Sequence, residues 1–299
     1  MAARPPVRPA ADARPMIDGH AHIFLRRLVG TAPLRYKPYR DATLPAYLSQ
    51  LDQFGIRGGV LVQPSFLGCD NGYLLQGLRR GAGRLRGIAV IAPDCPLATM
   101  RDMDAAGVVG LRLNLFGRPL PDLRSRAWRR CLARAARLGW QVEVHRPAQD
   151  WPLLLPPLLD AGVKVVIDHF GRPHPALGVD DPGFRYLLDA GAASGRIWVK
   201  ISAAYRNGLA GRGEDIARAA LPLLDGALGP ERMLWGSDWP HTQFGSIRYA
   251  RTLELLEQWL PDAGRRRQIT HDTPAELFRF DAPAATENGG RPPNGWPDS

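Results

Sequence analysis

Five residues of this sequence have the types and placement of a site that moves protons or holds a metal. They are His20 and His22 in MIDGHAH, His145 closing WQVEVH, His169 in VVIDH and Asp238 in LWGSD. Imidazole and carboxylate donors in such a set hold divalent cations. The same groups activate water without a metal, the carboxylate acting as base while imidazoles donate protons or polarise a carbonyl. In an extended strand, alternate side chains share a face, which puts His20 and His22 together. Four arginines lie close to the same segment ends: Arg112 and Arg118 in GLRLNLFGR, Arg172 in DHFGR and Arg206 in SAAYR. Guanidinium groups take carboxylates or phosphates through paired hydrogen bonds, so this set points to an anionic substrate.

These residues meet only if the chain brings segment ends to one place. Eight short β-rich runs do end in them: 16–22, 58–63, 86–91, 108–115, 140–145, 163–169, 197–202 and 232–238. Asn114, Glu143, Lys200 and Ser202 close further runs, and packing alone explains so many polar endings poorly. Helical stretches are expected near 43–54, 71–80, 96–106, 122–138, 150–161, 181–192, 214–228 and 246–259. The clearest is 122–138, with Leu123, Ala127, Trp128, Cys131 and Ala135 at near-helical spacing and Gly139 to stop it. Eight alternations favour a parallel sheet closed into a (β/α)₈ TIM barrel, in which functional residues sit at the C-terminal strand ends. The alternative, a doubly wound open sheet, calls for a glycine-rich phosphate loop after its first strand, and none is present. One domain over 15–281 is expected, between disordered tails at 1–14 and 282–299, where Pro, Gly and Asn leave little to enter a core.

Composition narrows the function classes. The formal net charge of +10 comes from arginine spread through nearly every segment, with lysine only at 37, 164 and 200. No nucleic-acid module surrounds these charges, so no nucleic-acid partner is expected. The apolar runs are too short for a membrane span, and the basic, proline-rich start lacks the apolar core of a signal peptide. Three cysteines make no disulfide framework. These features fit a cytoplasmic protein. Cys69 falls in a loop after a strand and is read as a bystander rather than a nucleophile.

Seven segments in order resemble the amidohydrolase superfamily, in the branch of 2-pyrone-4,6-dicarboxylate and sugar lactonases. They are IDGHAHIF, VLVQPSFLGCDN, GLRLNLFGR, VVIDHFGRP, WVKISAAYR, LWGSDWPH and HDTPAELFRF. The resemblance spans about residues 16–280. It implies a TIM-barrel hydrolase that opens a carboxylated lactone without a cofactor. Asp238 would serve as general base, with His20, His22 and His169 beside the carbonyl. Arg112, Arg118, Arg172 and Arg206 would bind substrate carboxylates, Ser65 would contact substrate, and Tyr36 or Tyr39 would match a family tyrosine. One position departs from the lactonases: His145 replaces a strand-five tyrosine. It leaves open a metal-dependent decarboxylase or hydratase with one zinc or manganese on His20, His22, His145 and Asp238. Another lactonase, or a ligand-binding barrel without catalysis, also remains open. A homo-oligomer is possible.

Overall fold

The β-rich runs become eight parallel strands in strict sequence order. The computed structural model describes residues 16–30 and 36–280; the tails expected at 1–14 and 282–299 lie outside the described residues. The strands are β1 (Ile17–Ala21), β2 (Gly58–Val62), β3 (Leu85–Ala89), β4 (Val108–Asn114), β5 (Gln141–His145), β6 (Val165–Ile167), β7 (Ile197–Ser202) and β8 (Met233–Gly236). Between and after them run α1 (Leu44–Gln53), α2 (Gly72–Arg80), α3 (Leu97–Ala105), α4 (Arg126–Arg137), α5 (Trp151–Asp160), α6 (Pro182–Ser194), α7 (Arg212–Leu228) and α8 (Tyr249–Trp259). This is the expected (β/α)₈ barrel.

The barrel closes where β8 meets β1. Asp238 N donates to His20 O at 2.8 Å, and His22 N donates to Trp239 O at 2.8 Å. A side chain at position 236 would prevent that approach, since a Cβ on Gly236 would lie 2.6 Å from His20 Cβ.

Boundaries moved where local chemistry competes with periodicity. Helix α4 starts at Arg126 instead of 122 because the Ser125 hydroxyl caps it, accepting from Trp128 N. Leu123 is nonetheless buried, so it belongs to the core without belonging to the helix. Two short helices, α9 (Ala263–Arg267) and α10 (Thr273–Leu277), extend the chain beyond the expected eight. Leu277, Phe278 and Phe280 pack with Ile17, Val60, Ile88, Val166 and Leu234, closing the N-terminal end of the barrel with apolar side chains.

Candidate active site

The site grows out of irregularities at strand ends. In β1 the register slips between Asp18 and Ala21. Ile17 joins the apolar cluster inside the barrel, whereas Asp18 turns to the helix layer, where it accepts from the hydroxyls of Tyr47, Tyr249 and Ser237. After the slip, His20 and His22 point inward. At the ends of β6 and β8 the chain enters left-handed backbone, with φ of 52° at His169, 58° at Phe170, 54° at Arg172, 59° at Asp238 and 59° at His241. Non-glycine residues there cost of order 1–3 kcal/mol each, and such strain collects at functional sites.

Above the apolar floor lies a layer of charge. Lys200 Nζ donates to Glu143 Oε2 at 2.5 Å, and it lies 2.9 Å from His20 Nδ1 and 3.9 Å from Asp168 Oδ1. Arg112 donates to Gln63 O at 2.9 Å and to Asp168 Oδ2 at 3.1 Å. Burial raises the Glu143 carboxyl to about 7, helped by the Asp168 charge and opposed by Lys200 and Arg112. Burial acts the same way on Asp168, but the imidazoles of His20 and His169 and the Arg112 guanidinium outweigh it, leaving that carboxyl well below its ordinary value.

At the mouth, Asp238 has two unlike oxygens. Its Oδ2 accepts from Tyr205 OH at 2.6 Å and Arg206 Nε at 2.7 Å. Its Oδ1 has no hydrogen-bond partner among the described residues. It faces His22 Nε2 at 3.5 Å, His20 Nε2 at 3.6 Å and His169 Nε2 at 4.0 Å. Burial pushes the Asp238 carboxyl up, but the Arg206 guanidinium on its Oδ2 overrides it and holds the group well below the carboxylate range. The histidines stay neutral. Burial lowers His20, His22 and His145, and takes His169 to about 3.

The expected site residues divide into those that meet and those that do not. His20, His22, His169 and Asp238 converge. The four-residue metal set is corrected: His20, His22 and Asp238 cluster, but His145 does not join them. It comes from β5, across the mouth from β1 and β8, where its ring lies 5.0 Å from His169 and stacks on Phe116 at 5.4 Å. Both its nitrogens are buried without a hydrogen-bond partner among the described residues, which suits a ligand contact. Arg172 donates to Asn207 Oδ1 at 3.3 Å and sits 5.1 Å over the Phe116 ring. Arg118 is exposed, Ser65 is half-buried in a turn after β2, and Tyr36 packs edge-on against Phe66 while Tyr39 is exposed. Cys69 keeps its proton, because burial and Asp94 raise its thiol.

The three converging donor groups stand close enough together to face a single cation. His20 Nε2 and His22 Nε2 are 3.3 Å apart, and Asp238 Oδ1 is 3.6 and 3.5 Å from them. Ligands about 2.0–2.1 Å from a tetrahedral zinc would stand roughly 3.3–3.4 Å apart, so the spacing fits. The hydrogen-bond polarity does not fit, because Lys200 occupies the back of His20.

The family model for amidohydrolases matches residues 17–280. The chain belongs to the amidohydrolase family. A 4-sulfomuconolactone hydrolase of Hydrogenophaga intermedia is 30% identical over 269 residues, 87% of this amidohydrolase and 88% of the relative. A 2-pyrone-4,6-dicarboxylate hydrolase of Comamonas testosteroni is 30% identical over 272 residues, covering 88% and 89% of the two chains. The crystal structure of a candidate 2-pyrone-4,6-dicarboxylic acid hydrolase from Pseudomonas putida superposes with a TM-score of 0.84 at 44% identity, covering 90% of this amidohydrolase and 99% of that chain.

Three site residues escape sequence reasoning. Asp168 shares the inward face with Val166 and is hidden because His169 next to it reads as the inward residue; the left-handed turn from His169 onward lets both face the site. Tyr205 and His241 lie beside Arg206 and after Asp238 in recognised segments, and only their contacts with Asp238 and each other single them out.

Proposed function

We propose that this amidohydrolase opens a carboxylated lactone by direct attack of water on the ring ester carbonyl, without a cofactor. The observation that carries the reading is the divided environment of Asp238. Tyr205 and Arg206 anchor Oδ2, while Oδ1 is left facing three neutral imidazoles. A water on Oδ1 gives its proton to the carboxylate as its oxygen bonds to the carbonyl carbon. Imidazole N–H groups stabilise the resulting oxyanion. The tetrahedral intermediate then expels the ring oxygen, which takes the proton back from Asp238. Water is consumed, one C–O bond forms, one breaks, and the product carries a hydroxyl and a new carboxyl group, which releases the second water proton to solvent and leaves as a carboxylate. The depressed pKa of Asp238 keeps it ionised at neutral pH and makes its protonated form a strong acid for the second half. Arg172 and the exposed Arg118 supply the cationic mouth that suits an acidic ring, in keeping with the acidic lactones for which two relatives are named.

The second reading, one zinc or manganese ion on His20, His22 and Asp238, is favoured by their spacing alone. The test of the first is hydrolysis of a pyrone dicarboxylate and a neutral lactone by chelator-treated protein, with Asp238→Asn alongside. Treated wild type should prefer the acidic ring. The variant should lose about 10²–10⁴-fold in kcat, the usual weight of general-base catalysis, while still binding substrate in calorimetry. Near-wild-type turnover by Asp238→Asn, or turnover that needs added metal, overturns the reading.

A further inference from the structure

The charged layer under the site contains a lysine that the hydrolytic mechanism does not use. Lys200 has no exposed surface, and its nearest polar atoms are Glu143 Oε2 at 2.5 Å and His20 Nδ1 at 2.9 Å. We propose that Lys200 fixes His20 as an Nε2–H donor and thereby closes the His20, His22 and Asp238 cluster to divalent cations.

Two ends of a hydrogen-bond chain settle its direction. An ammonium group has only donors, so His20 Nδ1 must meet Lys200 with a lone pair. A neutral imidazole with a bare Nδ1 carries its proton on Nε2. At the other end, His22 Nδ1 lies 2.7 Å from Val62 O, and a carbonyl only accepts. His22 therefore donates from Nδ1 and presents a lone pair on Nε2. Between these ends, His20 Nε2 and His22 Nε2 stand 3.3 Å apart. The chain runs one way: Lys200 to His20, His20 to His22, His22 to the Val62 carbonyl.

A cation on the cluster would need lone pairs on both Nε2 atoms. His22 has one ready. His20 has a proton there, and moving it to Nδ1 would set N–H against N–H at the Lys200 contact. Without Lys200 the preference reverses. Glu143 Oε1 and Asp168 Oδ1 each lie 3.4 Å from His20 Nδ1, and either would accept an Nδ1 proton. Carboxylates in that position are the usual orienters of metal-binding histidines. The chain thus holds the acceptors of a metal-binding imidazole and one cation that overrides them. Lys200 is a positioning residue, and the His20 Nε2–H that it preserves rests on His22 Nε2 in the free enzyme and turns to the lactone oxyanion when substrate binds.

The proposal is tested without substrate, so its failure is distinct from failure of the lactonase reading. The His20 tautomer is read in the full-length protein by long-range ¹H–¹⁵N correlation, assigned by the signal lost in His20→Asn. Zinc affinity is measured by chelator competition for wild type, Lys200→Met, and Lys200→Met with Glu143→Gln, the double variant keeping the buried charges balanced. We expect Nε2–H on His20 in wild type and Nδ1–H in the variants. We also expect a roughly 10–100-fold gain in zinc affinity, in line with the weight of outer-shell partners. Adding His22→Asn should remove the gain. Nδ1–H in wild type overturns the proposal, whether or not either variant folds. Zinc affinity in a folded variant no higher than in wild type overturns it as well.

Discussion

Replacing Arg112 by methionine separates a substrate contact from a structural one. The resemblance gives Arg112 to the substrate, yet its side chain is 3% exposed and donates to Asp168, which is fully buried. Arg112→Met leaves that carboxylate without its guanidinium and Gln63 O without its donor. Breaking a buried pair from one side costs about 3–5 kcal/mol. A domain of this size loses about 2 °C per kcal/mol, so the melting temperature should fall by roughly 6–10 °C. The assay is urea unfolding of wild type, Arg112→Met, Asp168→Asn and the double variant. Because the penalty is mostly an uncompensated charge, the double variant should be more stable than Arg112→Met. A loss below about 1 kcal/mol, or strictly additive losses, would refute the pairing and return Arg112 to the substrate.

Arg172→Met should cost only about 1–2 kcal/mol of stability, the weight of its Asn207 and Phe116 contacts, while raising KM for an acidic lactone about ten- to hundred-fold, the cost of one lost charged contact, and sparing a neutral lactone. Equal losses on both rings would make its role structural. Stability itself should fall in acid. His169 is held at about 3 and His241 at about 4, against 6.5 for an ordinary histidine, so the unfolded chain takes up protons that the fold refuses. Their contribution is whole above pH 6.5 and is lost toward pH 3–4, at about 1.4 kcal/mol per pH unit each. Glu143, raised from 4.5 to about 7, acts oppositely between those values. The net loss from these three is then about 1.4 kcal/mol per unit between pH 6 and 5, and His20, His22 and His145 add to it. A urea midpoint as high at pH 5 as at pH 7.5 would contradict this balance.

The barrel was legible in the sequence because each strand is a short β-rich run with a helix of its own behind it. His20 and His22 were assigned to one face correctly. Alternation alone, however, would have placed Ile17 and His20 on opposite faces, and only the register slip in β1 brings both inside. The ends of β6 and β8 defeat alternation altogether, because left-handed backbone re-aims the residues that follow. Asp168 was hidden because His169, which that backbone re-aims, took the inward place in the alternation. Charge type was legible where partnership was not. Arg206 reads as a carboxylate binder and is one, but the carboxylate it holds here is Asp238 of its own chain. Glu143 and Lys200 stood out as polar strand ends, and nothing in their spacing discloses that they meet His20.

The seam between β1 and β8 makes activity depend on the one contact that closes the barrel. The hydrogen bonds that close it, from Asp238 N to His20 O and from His22 N to Trp239 O, belong to the residues that flank the reacting atoms. Strands β2 to β7 can pair in succession as they emerge, each with the one before it. The base and two of its three imidazoles come together only when the last strand returns to the first, more than two hundred residues away in the chain. An intermediate lacking that closure would have most of the barrel's hydrogen bonds and no site. Hydrogen exchange at the His22 and Asp238 amides should therefore become slow in step with recovered turnover during refolding, while amides of the central strands are protected earlier.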